Sequence, residues 1–188
     1  NLLKDVSKTH RADAIYNLGY IDYVEDRYDQ ALEAFTSLQR DEVYDALVPY
    51  YIGEIYLLKG NFQKADEVAS DYLRHFAGHK DEVEMKRIQG EARYGMKDYL
   101  TSVASLKDYV NATAHPQRKA MYELGMGYYH TGAYTDAVEM LGRTTAESDA
   151  LAQNAYLHMG LACLQLKERN QARMAFEQAS TMTFDDKV

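Results

Sequence analysis

Apolar residues along this chain recur at helical spacing, with polar residues on the opposite faces. Tyr16, Tyr20 and Tyr23 are four and three residues apart, which aligns them in one stripe on a helix. Ile15 and Leu18 begin a second apolar stripe on the same segment, suited to a hairpin core. No run alternating with the strand period competes with this pattern. It predicts first helices at about 11–26, 45–60, 80–96, 117–131 and 149–166. Second helices are expected at about 28–40, 62–76, 98–111, 134–146 and 169–182. Turns should fall at Asp26-Arg27, Lys59-Gly60-Asn61, Lys97-Asp98, Thr131-Gly132 and Lys167-Glu168, several with the Gly or Asn that stops a helix.

One glycine sets the register of these pairs. Gly19, Gly53, Gly90, Gly125 and Gly160 are separated by 34, 37, 35 and 35 residues. Twelve residues after each stand Ala31, Ala65, Ser102, Ala137 and Ala172, small enough for two helices to approach closely. Sixteen residues after each stand Phe35, Ala69, Leu106, Leu141 and Phe176, the knobs of the second helix. Nine after, at the turn, come Tyr28, Phe62, Tyr99, Tyr134 and the departure Arg169. Leu18, Ile52, Gln89, Leu124 and Met159 precede the glycines.

This period and its small, aromatic and apolar offsets resemble the tetratricopeptide repeat (TPR) family over nearly the whole chain. The resemblance implies an all-α fold, an α-α superhelix (a TPR solenoid) of about five helix-turn-helix repeats. They would occupy residues 12–45, 46–79, 83–116, 118–151 and 153–186 of a single array over 1–188. The chain departs from the family pattern in having no Trp and no closing Pro. The third repeat matches least, with Gln89 and Ser102 at packing positions and Arg93 where Tyr is usual. The 37-residue interval before it implies a longer second helix or loop around residues 75–80.

Composition narrows the function classes. The net charge of -8 argues against a nucleic-acid surface, and no basic run appears. No apolar stretch is long enough to cross a membrane, so membrane insertion by this segment is not expected. One cysteine, Cys163, leaves the redox compartment open and is expected as a buried small hydrophobe. The start at Asn1 and the end just beyond the fifth hairpin suggest a piece of a longer, bacterial protein. An envelope or periplasmic location is preferred to the cytoplasm.

Candidate chemistry is sparse. His75 and His79 are four apart, but Gly78 lies between them without a third ligand, so a solvated loop is expected. Gly125-Met126-Gly127 lacks a third glycine and a preceding strand, so it reads as helix packing. Asn111-Ala112-Thr113 fits a glycosylation sequon that arises readily by chance. Asp185-Asp186 reads as a solvated terminus. No catalytic residue, cofactor or metal is expected.

Tyrosine supplies the remaining signal, 17 of 188 residues, because its ring is an amphipathic contact group of low conformational entropy. The TPR resemblance implies an inner surface built from three positions on each first helix. These are Tyr16, Tyr20 and Tyr23; Tyr50, Glu54 and Leu57; Arg87, Glu91 and Tyr94; Tyr122, Met126 and Tyr129; and Leu157, Leu161 and Leu164. The last set could instead pack on a further repeat. Some TPR domains clamp a C-terminal carboxylate with Lys and Asn, but Tyr16 and Tyr20 occupy those places here, and Glu123 stands where a basic residue would help.

The expected function is therefore a non-catalytic scaffold binding a peptide or protein in a Tyr-rich groove. Two alternatives stay open: a recruiting arm of a larger enzyme or regulator, and an array that self-associates through its end repeats.

Overall fold

The computed structural model describes residues 2–184, with side chains described from residue 10 onward. Asp185-Asp186 and the end of the fifth expected repeat lie outside the described residues. Ten α-helices and no strand occur among them. The first helices are α1 (Leu2–Val24), α3 (Val48–Leu58), α5 (Glu82–Gly95), α7 (Arg118–His130) and α9 (Ala150–Gln165). The second helices are α2 (Tyr28–Ser37), α4 (Phe62–His75), α6 (Tyr99–Ala112), α8 (Tyr134–Gly142) and α10 (Arg169–Thr181).

One turn geometry joins each pair. Asp26, Gly60, Lys97, Gly132 and Lys167, each seven residues after a register glycine, are left-handed, with φ between 59° and 81°. The next N–H reaches back to a carbonyl five residues earlier: Arg27 to Asp22, Asn61 to Tyr56, Asp98 to Arg93, Ala133 to Tyr128 and Glu168 to Cys163, at 2.8–2.9 Å. This double-back closes the first helix and aims the chain into the second. Asn61 and Asp98 also accept from the N–H of Lys64 and Thr101, capping α4 and α6.

The small residues of the second helices are all fully buried, from Ala31 through Ala172. Gly19, Gly125 and Gly160 lie against the knobs of their own hairpins. A Cβ on Gly19 would stand 3.1 Å from the Phe35 ring, and one on Gly125 would stand 2.8 Å from Leu141 Cγ. Gly53 differs because its knob position holds Ala69. Ile88 of α5 fills the space instead, 3.1 Å from the added Cβ.

The chain divides into two compact units, Asn1–Ala92 and Arg93–Val188. The boundary falls inside α5, in the repeat with the weakest pattern. In the first unit Phe35, Leu38, Val48, Ile52 and Ile55 form one core, and Tyr72, Met85 and Ile88 anchor another. In the second unit Leu141 and Ala155 pack with Met126.

Three local expectations change. Helix α1 starts at Leu2 rather than near 11. Helices α2 and α8 end at Ser37 and Gly142, several residues early, because the chain tightens there: Leu38 N–H bonds to Phe35 O and Thr144 N–H to Leu141 O. Leu18 does not enter the hairpin core and is 60% exposed, because the position before the register glycine faces away from its own second helix: the equivalent Ile52 packs with Phe35 and Leu38 of the preceding hairpin. The extra residues before the third repeat form a turn at 76–81, with Gly78 left-handed at φ 81°.

Candidate interaction surface

On α1 and α3, helical spacing places Tyr16, Tyr20, Tyr23 and Tyr50 beside a residue the repeat pattern did not single out. Tyr51 is the hub. Its ring stacks on Phe35 at 4.8 Å and meets Tyr50, Tyr23, Tyr20 and Tyr16 at 5.3, 5.4, 6.0 and 6.1 Å, all edge-on. The Tyr16 hydroxyl shares a 3.3 Å hydrogen bond with that of Tyr51, and its ring stacks on Tyr44 at 4.8 Å. Edge-on and offset pairs let the positive rim of one ring meet the negative face of another. The hydroxyl of Tyr44 donates to Asp13 at 2.7 Å, which pushes its pKa up to about 12, with burial adding to the shift. Burial raises the pKa values of Tyr23, Tyr50 and Tyr51 as well, which favours the neutral phenol at these three rings. Tyr20 is 45% exposed at its edge, whereas Tyr16, Tyr23 and Tyr50 are half-buried.

Beside these rings Arg87 gathers three carboxylates. It donates to Glu84 at 2.7 Å, to Glu91 at 2.9 Å and to Glu54 across from α3. Arg87 is 2% exposed and Glu91 4%. These two side chains therefore lie inside and join α3 to α5, whereas Glu54 and Glu84 reach the edge of the surface. Burial, with repulsion from Glu91 and Asp81, raises the Glu84 pKa.

The second unit carries its own aromatic set. Tyr94 and Tyr122 pack on the core of Met126, Leu141 and Ala155, and Met126 is only 5% exposed. Tyr94 meets Tyr99 edge-on at 5.6 Å. Tyr129 lies between His130 at 5.6 Å and His158 at 5.4 Å, and touches Tyr134 at 5.9 Å. His130 stacks on Tyr99 at 4.1 Å. Burial and then the neighbouring His158 lower the His130 pKa. Neither histidine was singled out in the sequence. Leu57, Leu157 and Leu161 are half-buried, and Leu164 is exposed.

Two other expectations resolve locally. His79 is not a solvated loop residue. Its Nδ1 shares a 2.6 Å hydrogen bond with the Tyr72 hydroxyl, and its ring meets Phe76 edge-on, whereas His75 is exposed. Cys163 is buried, and that burial, with the Glu168 carboxylate, pushes its thiol pKa up. Among the described residues no helix is long and apolar enough to cross a membrane, and no three metal-ligating side chains cluster.

No protein-family model matches this chain, and no curated protein does. Solved structures do. MamA from strain AMB-1 superposes with a TM-score of 0.77 at 15% identity, covering 92% of both chains. A MamA mutant gives 0.78 at 17% identity, covering 94% of this chain and 99% of the other. MamA from Desulfovibrio magneticus RS-1 gives 0.74 at 19% identity, covering 91% and 94%. At such identities the likeness speaks for the fold: this chain is all-helical and shares the TPR-like helical solenoid of MamA.

Proposed function

We propose that this chain is a non-catalytic protein–protein interaction scaffold whose first helices present tyrosine-rich surfaces to a peptide segment of a partner. The observation that carries this reading is the ring network around Tyr51. It holds Tyr16, Tyr20, Tyr23 and Tyr50 from below while leaving Tyr20 open. Rings fixed before binding lose little entropy on contact, which favours apolar anchors of a partner. Tyr94, Tyr122 and Tyr129 offer a second patch in the other unit. Within this reading Arg87, Glu91 and Met126 act from inside, holding the helices that bear the rings, and Glu54 meets the partner at the edge. Glu54 and Glu84, the two carboxylates that reach the edge of this surface, favour one or two Lys or Arg residues in that partner. The MamA-like fold is in keeping with a binding role.

The test is to select short peptides that bind the parent chain from a displayed random library, then measure them against Tyr20→Ala with Tyr122→Ala. If these rings are central anchors, affinity should fall by about 2 kcal/mol or more with the helical signal unchanged. Raised salt should slow association only modestly, because few charges take part. Equal binding by parent and double variant would reject the surface.

A further inference from the structure

Two positions of each hairpin face one another, the third residue after the register glycine on the first helix and the fifteenth on the second. In the third hairpin they touch, with Arg93 donating to Ser105 at 3.4 Å. In the second they are Tyr56 and Val68, packed on one core, with the Lys64 ammonium 5.4 Å over the Tyr56 ring. In the fourth they are Tyr128 and Met140. In the fifth both are small, Cys163 and Ala175. The frame of that hairpin is unchanged. Gln171, the counterpart of Lys64, still lies over Cys163, its Oε1 3.9 Å from the Sγ. The space differs instead. A cavity of about 240 Å³ stands at the place of the Tyr56 and Tyr128 rings, floored by Cys163 and Ala175 and walled by Val138, Tyr156 and Met159.

The rim changes in step with the floor. The eleventh, fourteenth and eighteenth residues after the glycine are Lys64, Glu67 and Asp71 in the second hairpin, and Asp136, Glu139 and Arg143 in the fourth. In the fifth they are Gln171, Met174 and Gln178, which border the cavity and are exposed and uncharged. Met174 is 66% exposed at a place where Glu67 and Glu139 stand elsewhere. Loss of the ring and loss of the charges therefore coincide in one hairpin.

We propose that this cavity binds a free, uncharged molecule of one aromatic ring, a phenol the size of the tyrosine side chain that α9 lacks. An apolar cavity of about 150 Å³ takes up benzene, so this one has room for a ring with a substituent. The thioethers of Met159 and Met174 suit the edge of such a ring, and the Gln171 and Gln178 amides at the rim suit its hydroxyl. None of the described residues bordering the cavity is charged, so an ion entering it would lose hydration without gaining a partner. Helix α8 contributes Val138 alone among these residues, so the space closes round one ring and does not run on along the helices as a peptide groove would. No residue of the tyrosine surfaces borders it, and the site stands or falls apart from them.

Titrating p-cresol into the chain labelled with carbon-13 at its methionine methyls tests the site. Ring currents should shift the methyls of Met159 and Met174, assigned through their Leu variants, with a dissociation constant of about 1 mM for so small a ligand. Met85, in the first unit, should not move. Cys163→Tyr should fill the cavity from within, raising the melting temperature and weakening p-cresol at least about tenfold. Ala175→Met, which supplies the side chain of the fourth hairpin, should weaken it too and covers the case in which the new tyrosine does not seat. p-Hydroxybenzoate and N-acetyltyrosinamide should each bind about tenfold more weakly than p-cresol. Unshifted Met159 and Met174 methyls, or p-cresol binding that survives Cys163→Tyr and Ala175→Met, would overturn the site. p-Hydroxybenzoate bound as tightly as p-cresol would overturn the neutral ligand. N-acetyltyrosinamide bound as tightly would make the occupant a partner's side chain and overturn the free one.

Discussion

Gly125 lies directly beneath Leu141, sixteen residues along the chain, and an added Cβ would stand 2.8 Å from Leu141 Cγ and 3.1 Å from its backbone nitrogen. The same offset joins Gly160 to Phe176, whose ring would be 2.5 Å from a new Cβ. The two contacts differ in how they can yield. Leu141 is fully buried and its backbone is part of the contact, whereas the Phe176 ring is half-exposed and can swing aside. Gly125→Ala should therefore cost about 1–3 kcal/mol, and Gly160→Ala less. Gly142→Ala, which would meet only Met159 at 3.7 Å, should be tolerated. Urea denaturation of the three variants ranks them, and equal midpoints would show that the glycines are not spacers.

Ala137 tests the same closeness from the other helix. It is fully buried in α8, at the small-residue position of the fourth hairpin. Ala137→Leu should overpack this hairpin and cost about 1–3 kcal/mol. A variant with an unchanged melting temperature would mean that the small residue is incidental.

The left-handed turn residue offers a stabilising change. Lys167 holds φ 63° without a glycine's freedom, and Lys97 holds φ 64°. Lys167→Gly relieves the left-handed strain but adds freedom to the unfolded chain, so the net gain should be about 0.5 kcal/mol. Asp26→Gly should gain less, because the Tyr28 hydroxyl donates to Asp26 at 2.6 Å and that bond would be lost. Thermal denaturation compares the two. A larger gain at Asp26 would contradict this account.

The fold was legible because packing leaves a periodic trace. Gly19 and Ala31 must be small wherever two helices touch, and that demand repeats every hairpin. The site was legible only in part. Spacing aligned Tyr16, Tyr20 and Tyr23, but the hub Tyr51 is one step off the repeated inner position and exists only when α1, α2 and α3 meet. The burial of Arg87 and Glu91 follows from a bond to Glu54, 33 residues before Arg87, and no periodic pattern encodes a pairing that occurs once. His130 and His158 escaped for the same reason, since Tyr129 brings them together from α7 and α9. The exposure of Leu18 was hidden because the repeat pattern assigns it the burial its equivalents have.

The third repeat should open first. Ser102 occupies a position that is Ala in the other four repeats, and half-buried Gln89 replaces an apolar residue, donating to Ser70 at 2.9 Å. Polar groups in helix contacts contribute less burial than the Ala and Leu they replace, and the boundary between the compact units falls in this repeat. Native-state hydrogen exchange should be faster across residues 80–112 than in the first and fourth repeats. Uniform protection would remove the idea of a weak link.

Acid should loosen the join between α7 and α9. Asp149 accepts from both terminal nitrogens of Arg118, at 2.5 and 2.8 Å, and from the N–H of Ala152 at 2.9 Å, so it both pairs and caps. The Arg118 bonds hold its carboxyl well below the usual carboxylate range, with the Ala152 N–H contributing next. A folded pKa below the unfolded value of about 4 means that the ionised form stabilises the fold above that pH. This contribution is lost progressively as pH falls from about 4 towards the folded pKa. Asp149→Asn keeps a capping oxygen but removes the charge, so it should lower stability at pH 7 and flatten the fall below pH 4. Arg118 also donates to Thr144 O at 2.8 Å, so Arg118→Met should loosen the turn before α9 as well and cost more than Asp149→Asn. Because Asp149 is partly exposed, salt should weaken both effects. Urea midpoints measured from pH 3 to pH 7 decide the matter. Parallel profiles for parent and Asp149→Asn would show that this pair does not govern the acid response.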